Sequence, residues 1–404
     1  MNRRVVITGL GVISSLGIGW RQFWEGLLSG KSGISPVTSF DTKEQFTHMG
    51  GEVKGFKPEE FLPMDRLPSL NRGTQMAVAA ARLALEDAGL SADTVSGLRV
   101  GVSLGTTMGS LQSVEIINEL IVNEKIPRLP SDLICQVPTH STPSAVAREL
   151  GLRGPNMMFS TACAAGNYAI GHGFDMIRSL KADIIFAGAS DPFSKVAFTG
   201  FNQLSAVAPE KCQPFDSNRK GMMVAEGAGI LVLESLESAS GRGADIYAEV
   251  GGYGLSCDAQ HMTQPSVEGI TECMKRALQE AALRPEDVDY ISAHGTGTKA
   301  NDSTECAAIR EVFGPLGKGI PVSSIKSMLG HTMGAASALE AIACALAAKN
   351  NMIPPTMNFE TPDPECDIDC VPNRAREHRV SVALNNSYAF GGNNASLVLR
   401  KFNG

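Results

Sequence analysis

Little of this sequence is aromatic or charged, and its charge leans acidic. Aromatic residues make up 6% of the 404 positions and charged residues 19%, with 35 Lys and Arg against 42 Asp and Glu, a net charge of -7. A protein that works on nucleic acid needs a basic face against the phosphates, so that class is excluded, although a local basic patch is not. No apolar run reaches the roughly 18 residues of a membrane span, and MNRRVVITGLGVISSLG lacks the long apolar core and cleavage site of a secretory signal. A cytoplasmic location away from membranes is expected. The nine cysteines are scattered, which suits a reducing compartment better than a disulfide framework. Cys366 and Cys370 are the only close pair, and with no second pair beside them no metal site is expected. What is abundant is glycine, 42 residues, in a chain that is 43% hydrophobic and long enough for an extensive core.

The most informative stretch is NMMFSTACAAGNYAIGHGFDMIRSL, residues 156–180. The apolar run 157–159 predicts a buried strand that turns through Ser160, Thr161 and Ala162 into small residues at helical spacing. Cys163 sits at that corner. A thiol at a helix start feels the partial positive charge of unsatisfied N–H groups, which predicts a pKa below the free value of about 8.5 and a sulfur nucleophile. The plainer alternative is a buried structural cysteine.

Taken in order, the chain opens with a strand over 4–8 and a Gly-rich turn. GLGVISSLG lacks the glycine spacing and the acidic residue of a dinucleotide fingerprint, so no cofactor site is expected there. Helices are predicted over 19–29 and 71–89 and a strand over 98–104, while 105–145 reads as irregular, an insertion of the kind that lines pockets or subunit contacts. Strands follow at 183–187 and 227–234. The pattern then begins again. IYAEVGGYGLS, residues 246–256, echoes VVITGLGVISS, a helix over 269–282 echoes 74–88, and a strand follows at 290–293. IPVSSIKSMLGHTMGAASALEAIACALAA then repeats the strand, loop and small-residue helix of the Cys163 stretch. Two halves of one topology, 1–250 and 251–404, explain this doubling, with chance likeness between alternating α/β segments as the alternative.

Three further clusters carry chemistry. In SAHGTGTKAND, His294 follows a strand among glycines that let a ligand approach the backbone. In SSIKSMLGHTMGAAS, Lys326 and His331 flank a turn entering a helix, and in NNSYAFGGNNAS, Phe390 precedes two glycines at a strand end. A single histidine is as often a satisfied polar group as a catalyst. Together with Cys163 these residues fall at strand carboxyl ends, where open α/β sheets gather function.

In TACAAG, HGTGTKAND, KSMLGHTMGAASALE and NNSYAFGG, in this order and spacing, the chain resembles the β-ketoacyl-ACP synthases of the elongating class, condensing enzymes of fatty acid and type II polyketide synthesis. The resemblance runs from VVITGLGVISSLG to GGNNASLVLRK. It implies an α/β fold, the thiolase-like αβαβα five-layer sandwich of two duplicated halves. It also implies decarboxylative condensation of an acyl-ACP with malonyl-ACP through an acyl-enzyme on Cys163. The amides of Cys163 and Phe390 would face the oxyanion, and His294 and His331 would stabilise the enolate left by carbon dioxide. Lys326, partnered by Glu340, would support them. Thr296 and Thr298 would hold the phosphopantetheine arm, and Phe390, hinged by Gly391 and Gly392, would gate the acyl pocket.

No metal and no cofactor beyond the carrier's phosphopantetheine is implied. The implied partners are an acyl carrier protein, docking near Arg66, Arg72, Lys125 and Arg128, and a second subunit, either a copy of the chain or a chain-length partner. The chain departs from the family in Tyr388-Ala389-Phe390-Gly391-Gly392, where Phe-Gly-Phe-Gly-Gly is common, and in Asn393, where threonine is common. The loop SLGTTMGSLQSVE, which in this family reaches the acyl pocket across the dimer, puts Gln112 about where an aliphatic residue often limits chain length. An amide left without partners there would cost about 1 to 3 kcal/mol, so an acyl chain bearing oxygen or unsaturation is expected. A non-catalytic chain-length partner would share the fold, but the presence of Cys163 and both histidines argues against it. His331 separates the chain from thiolases, with two cysteines and a histidine, and from initiating synthases, with cysteine, histidine and asparagine.

Overall fold

The computed structural model describes residues 3–95, 97–123, 126 and 128–404. Its strands follow one path twice. β1 (Val5–Ser14), β2 (Val100–Gly105), β3 (Asn156–Phe159), β4 (Ile184–Asp191) and β5 (Gly227–Ser235) lie in the order β1-β5-β4-β2-β3. β6 (Ala248–Cys257), β7 (Tyr290–Ser292), β8 (Val322–Ser323), β9 (Val382–Tyr388) and β10 (Asn393–Arg400) lie in the order β6-β10-β9-β7-β8. Directions repeat too, with two antiparallel pairings followed by two parallel ones in each half. β1 pairs antiparallel with β6, Val5 opposite Val250, and this joins the halves into one eleven-stranded sheet that includes the short strand Gly17–Ile18. The boundary expected at 250/251 falls inside β6.

Seven helices define the layers: α1 (Arg72–Asp87), α2 (Leu111–Val122), α3 (Ser141–Leu150), α4 (Ala165–Arg178), α5 (Val267–Glu280), α6 (Lys299–Phe313) and α7 (Ala335–Asn350). α1 and α3 cover the outer face of the first half, α5 with α6 against it covers the outer face of the second, and α4 and α7 lie between, touching strands of both. α7 is buried from Ala335 to Ala348 and apolar on every side apart from Ser337 and Glu340, as enclosure between the two halves of the sheet requires. Its alanines let the two halves of the sheet close on it, and Asn351, left-handed at φ 53°, ends it. α1 starts at Asn71, whose side chain accepts from the Thr74 amide at 2.8 Å. It lies directly on β1, where a Cβ on Gly11 would stand 1.8 Å from the Ala80 carbonyl oxygen. Close packing accounts for that glycine.

The stretch expected to be irregular contains α2. Its apolar side chains do not face the chain's own core: only Ser113 is buried in this helix, while Val114, Ile116, Ile121 and Val122 are exposed. Without a buried face, the periodicity that marks a helix is lost. No helix among the described residues is long and apolar enough to cross a membrane.

Candidate active site

Cys163 occupies the tight turn Ala162–Ala164 between β3 and α4, entered through Ala162 in the left-handed region at φ 48°. That conformation is unusual for a residue with a Cβ and turns the chain sharply enough to set the sulfur at the end of the strand. The Cys163 carbonyl accepts from Ser387 Oγ of β9 at 2.9 Å and Ser337 Oγ of α7 at 3.2 Å. The acid thiol expected from the helix start is not what the environment produces. Burial pushes the Cys163 thiol up to about 12, and the Lys326 charge, acting the other way, does not overcome it.

His294 follows β7. The Glu305 carboxylate, on α6, accepts from the amides of His294 and Gly295 at 2.8 Å each and so fixes the turn. Lys326 Nζ lies 3.5 Å from His294 Nδ1 and is ion-paired with Glu340, both side chains being 1% exposed. An ammonium only donates, so Nδ1 accepts and the imidazole proton sits on Nε2. The same holds for His331, whose Nδ1 accepts from the Met333 amide at 3.1 Å. Burial first, then the Lys326 charge, holds both imidazoles well below the usual 6.5, neutral at pH 7. Their rings stand edge to face with centroids 5.4 Å apart. Glu340 is raised to about 7 by burial, and its second carboxylate oxygen has no partner among the described residues.

These groups converge. The Cys163 sulfur and one ring nitrogen each of His294 and His331 lie within 4.8 Å of one another, all three residues buried. A cysteine and two histidines this close could also hold a soft divalent ion. They line an open cleft of about 630 Å³ of empty space together with Thr296, Thr298 and Phe390. The two threonine hydroxyls are 2.9 Å apart. Phe390, 38% exposed, lies with its ring 5.9 Å from that of Phe201, and Gly391 and Gly392 behind it have φ of 83° and 77°. The amides of Gly391 and Gly392 donate to the Met262 and Ala389 carbonyls at 2.8 and 3.0 Å, while the Phe390 amide has no partner among the described residues.

Other candidates fall elsewhere. Gln112 does not line this cleft, and its Nε2 donates to the Phe193 carbonyl at 2.6 Å. That bond engages the donor side of the amide within its own chain, so Gln112 does not by itself require an oxygenated or unsaturated acyl group. Arg72, its side chain one-third exposed, is tied inward, pairing with Glu226 at 2.7 Å and donating to the Val53 carbonyl at 3.0 Å. Arg66 and Arg128 are exposed away from the cleft lining, and Lys125 lies outside the described residues.

Sequence reasoning missed the residues that hold the site from behind. Besides Glu305, Asp302 accepts from the Phe215 and Gly297 amides at 2.8 and 3.2 Å, and Asp191 accepts from the Thr107 and Gly334 amides at 2.7 and 2.6 Å. Tyr388 packs its ring 5.8 Å from that of His294. A signal was present in α6: Asp302 and Glu305, three residues apart, share a buried face with Cys306 and Ile309, where an unpartnered acid would be costly.

Comparison with known proteins agrees with this geometry. Residues 2–239 match the family described as beta-ketoacyl synthase, N-terminal domain, and residues 247–360 match beta-ketoacyl synthase, C-terminal domain. A 3-oxoacyl-[acyl-carrier-protein] synthase 2 of Staphylococcus aureus (strain COL) is 40% identical over 409 residues, 99% of each chain. Among solved structures, the ishigamide ketosynthase/chain length factor matches with a TM-score of 0.96 and 45% identity over 100% of both chains. A type II PKS acyl-carrier protein in complex with its ketosynthase, bound to the hexaketide, matches at 0.92 with 35% identity over 100% of both chains. Because two matched halves of one topology build a single thiol and imidazole cleft, the chain belongs to the β-ketoacyl synthase family, in its elongating class and with the thiolase-like fold.

Proposed function

We propose that the chain is a β-ketoacyl-ACP synthase that condenses an acyl-ACP with malonyl-ACP in fatty acid or polyketide assembly. One observation carries the reading: a thiol and two neutral Nε2–H donors meet at the floor of one cleft. The Cys163 sulfur attacks the acyl thioester, the oxyanion lies between the Cys163 and Phe390 amides, and the carrier thiolate leaves with the proton the sulfur gives up. Malonyl-ACP then enters and its carboxylate carbon–carbon bond breaks. Carbon dioxide departs, and the electron pair becomes an enolate whose oxygen takes hydrogen bonds from His294 and His331. The enolate carbon attacks the Cys163 thioester, a new carbon–carbon bond forms, and the sulfur is released to take up a proton. The Lys326 charge behind His294 favours the anion at each stage. Thr296 and Thr298 hold the phosphopantetheine arm, and Phe390 covers the bound acyl chain.

The reading includes a dimer. Among the described residues the outer edge of β3 is unpaired, with Met157 44% exposed, and α2 presents apolar side chains to solvent, surfaces that a second subunit would cover. Sedimentation should give twice the chain mass for the protein alone, and a monomer that dimerises only with a chain-length partner would establish the heterodimer. The reaction is tested by intact-mass spectrometry after incubation with acyl-ACPs, followed by malonyl-ACP. The expected result is an acyl adduct on Cys163 that is consumed as β-ketoacyl-ACP and carbon dioxide appear. An unmodified Cys163 across saturated chains of several lengths would end the proposal.

A further inference from the structure

The cleft that ends at Cys163 widens outward into a second opening of about 1720 Å³ of empty space, and the two share Ala206, Thr263, Thr298, Ala300 and Phe390. The whole chain has a net charge of -7. Even so, no Asp or Glu lines this opening, while Arg219, Lys220 and Lys299 do. Arg219 is turned inward. It is buried, pairs with Asp363 and with Asp302 at 3.7 Å, and donates to the Thr298 and Lys299 carbonyls at 3.4 Å each. Its bonds tie the segment ahead of β5 to the start of α6, which places Lys220 and Lys299 on one rim. Both lysines are exposed and have no ion-pair partner among the described residues.

We infer that Lys220 and Lys299 hold the phosphodiester of the carrier's phosphopantetheine arm as it enters. The inference rests on the condensing reading and adds to it a subsite outside the Thr296 and Thr298 pair. An arm of this kind carries its thioester at one end and its phosphate at the other. A thiol at the floor, hydroxyls along the wall and two unpaired ammonium groups at the mouth match that order. Compact ammonium groups bind phosphate as point charges, and at a rim they act on encounter and salt dependence more than on the chemical step. In an acidic protein they also supply the local positive field that an acidic carrier needs.

The test compares phosphopantetheine with pantetheine, which lacks the phosphate, by equilibrium binding to the wild type and to the Lys220→Glu/Lys299→Glu variant. Affinity for phosphopantetheine should fall roughly tenfold or more in the variant, and added salt should weaken the wild type alone. Affinity for pantetheine should be the same in both proteins, which also shows that the variant is folded. Equal losses for both probes, or none for either, would overturn the inference. With octanoyl-ACP as the substrate, the half-saturating concentration for Cys163 acylation should rise in the variant by a similar factor. An unchanged value there would reject the carrier arm as occupant. Binding does not depend on sulfur chemistry, so a wild type that selects phosphate but never becomes acylated would fail the condensing reading and not this one.

Discussion

The two halves of the chain repeat a fold and divide a reaction. After β3 the chain turns through Ala162 at φ 48° into α4, and after β8 it turns through Met333 at φ 54° into α7. The first corner presents Cys163. The second presents His331, with the buried Lys326 and Glu340 beside it and His294 from the neighbouring strand. The same enclosure acts on both with opposite formal results, raising the thiol to about 12 and lowering the imidazoles. In each case burial favours the uncharged form. The resting site is therefore a protonated thiol facing two neutral N–H donors, suited to stabilising negative charge only while it exists. Neither half completes this alone: Asp191 of β4 accepts from the Gly334 amide at the start of α7, and Asn385 of β9 donates to Asn167 of α4 at 2.9 Å.

Removing one half's contribution at a time should break the comparison most visibly. Cys163→Ala should abolish the acyl-enzyme and all condensation, yet leave the decarboxylation of malonyl-ACP. His294→Ala and His331→Ala should retain acylation of Cys163 while decarboxylation falls roughly 10²- to 10³-fold, as expected for loss of a donor aimed at a developing oxyanion. Carbon dioxide release and intact mass measure the two separately. Loss of both activities in Cys163→Ala would contradict the division of labour.

The thiol can be probed without mutation. With its pKa near 12, the thiolate fraction below that value rises about tenfold with each pH unit, so alkylation by iodoacetamide should climb about a thousandfold from pH 7 to 10 without a plateau. A plateau near pH 8 would mean that the helix start outweighs burial. On the other side of the comparison, Lys326→Ala leaves Glu340 buried without its cation. Urea denaturation should show a loss of about 3 to 5 kcal/mol, and adding Glu340→Gln should recover part of it without restoring decarboxylation.

What could be read in the sequence was what is local. The strand, corner and small-residue helix around Cys163 and again around His331 are set by neighbouring residues, so both corners and the doubling were legible. Cys163 acidity was not, because a helix start is visible in sequence while the enclosure by β9 and α7 that reverses it is tertiary. α2 hid because its apolar residues point outward, and the bond from Gln112 to the Phe193 carbonyl could not be read because the two lie 81 residues apart. That the charge of Arg72 is matched by the buried Glu226 just ahead of β5, 154 residues on, was likewise invisible in sequence. Glu305 was overlooked because its role is to accept from backbone amides, which leave no mark in a motif.

The smallest expected effect tests how the second half steadies the first. Ser387 and Ser337, both from elements outside the first half, donate to the carbonyl of Cys163. Deleting either hydroxyl leaves the other in place, so each single alanine variant should lose about 1 kcal/mol or less of transition-state stabilisation, up to roughly fivefold in acylation rate. The double variant leaves a buried carbonyl without either bond and frees the strained turn at Ala162. Its loss should exceed the sum of the singles, since the two donors share one acceptor. Acylation rates set against urea midpoints distinguish the cases. If the double variant is destabilised but acylated at the wild-type rate, the hydroxyls serve only to join the halves; if acylation slows while the midpoint holds, the second half sets the aim of the sulfur.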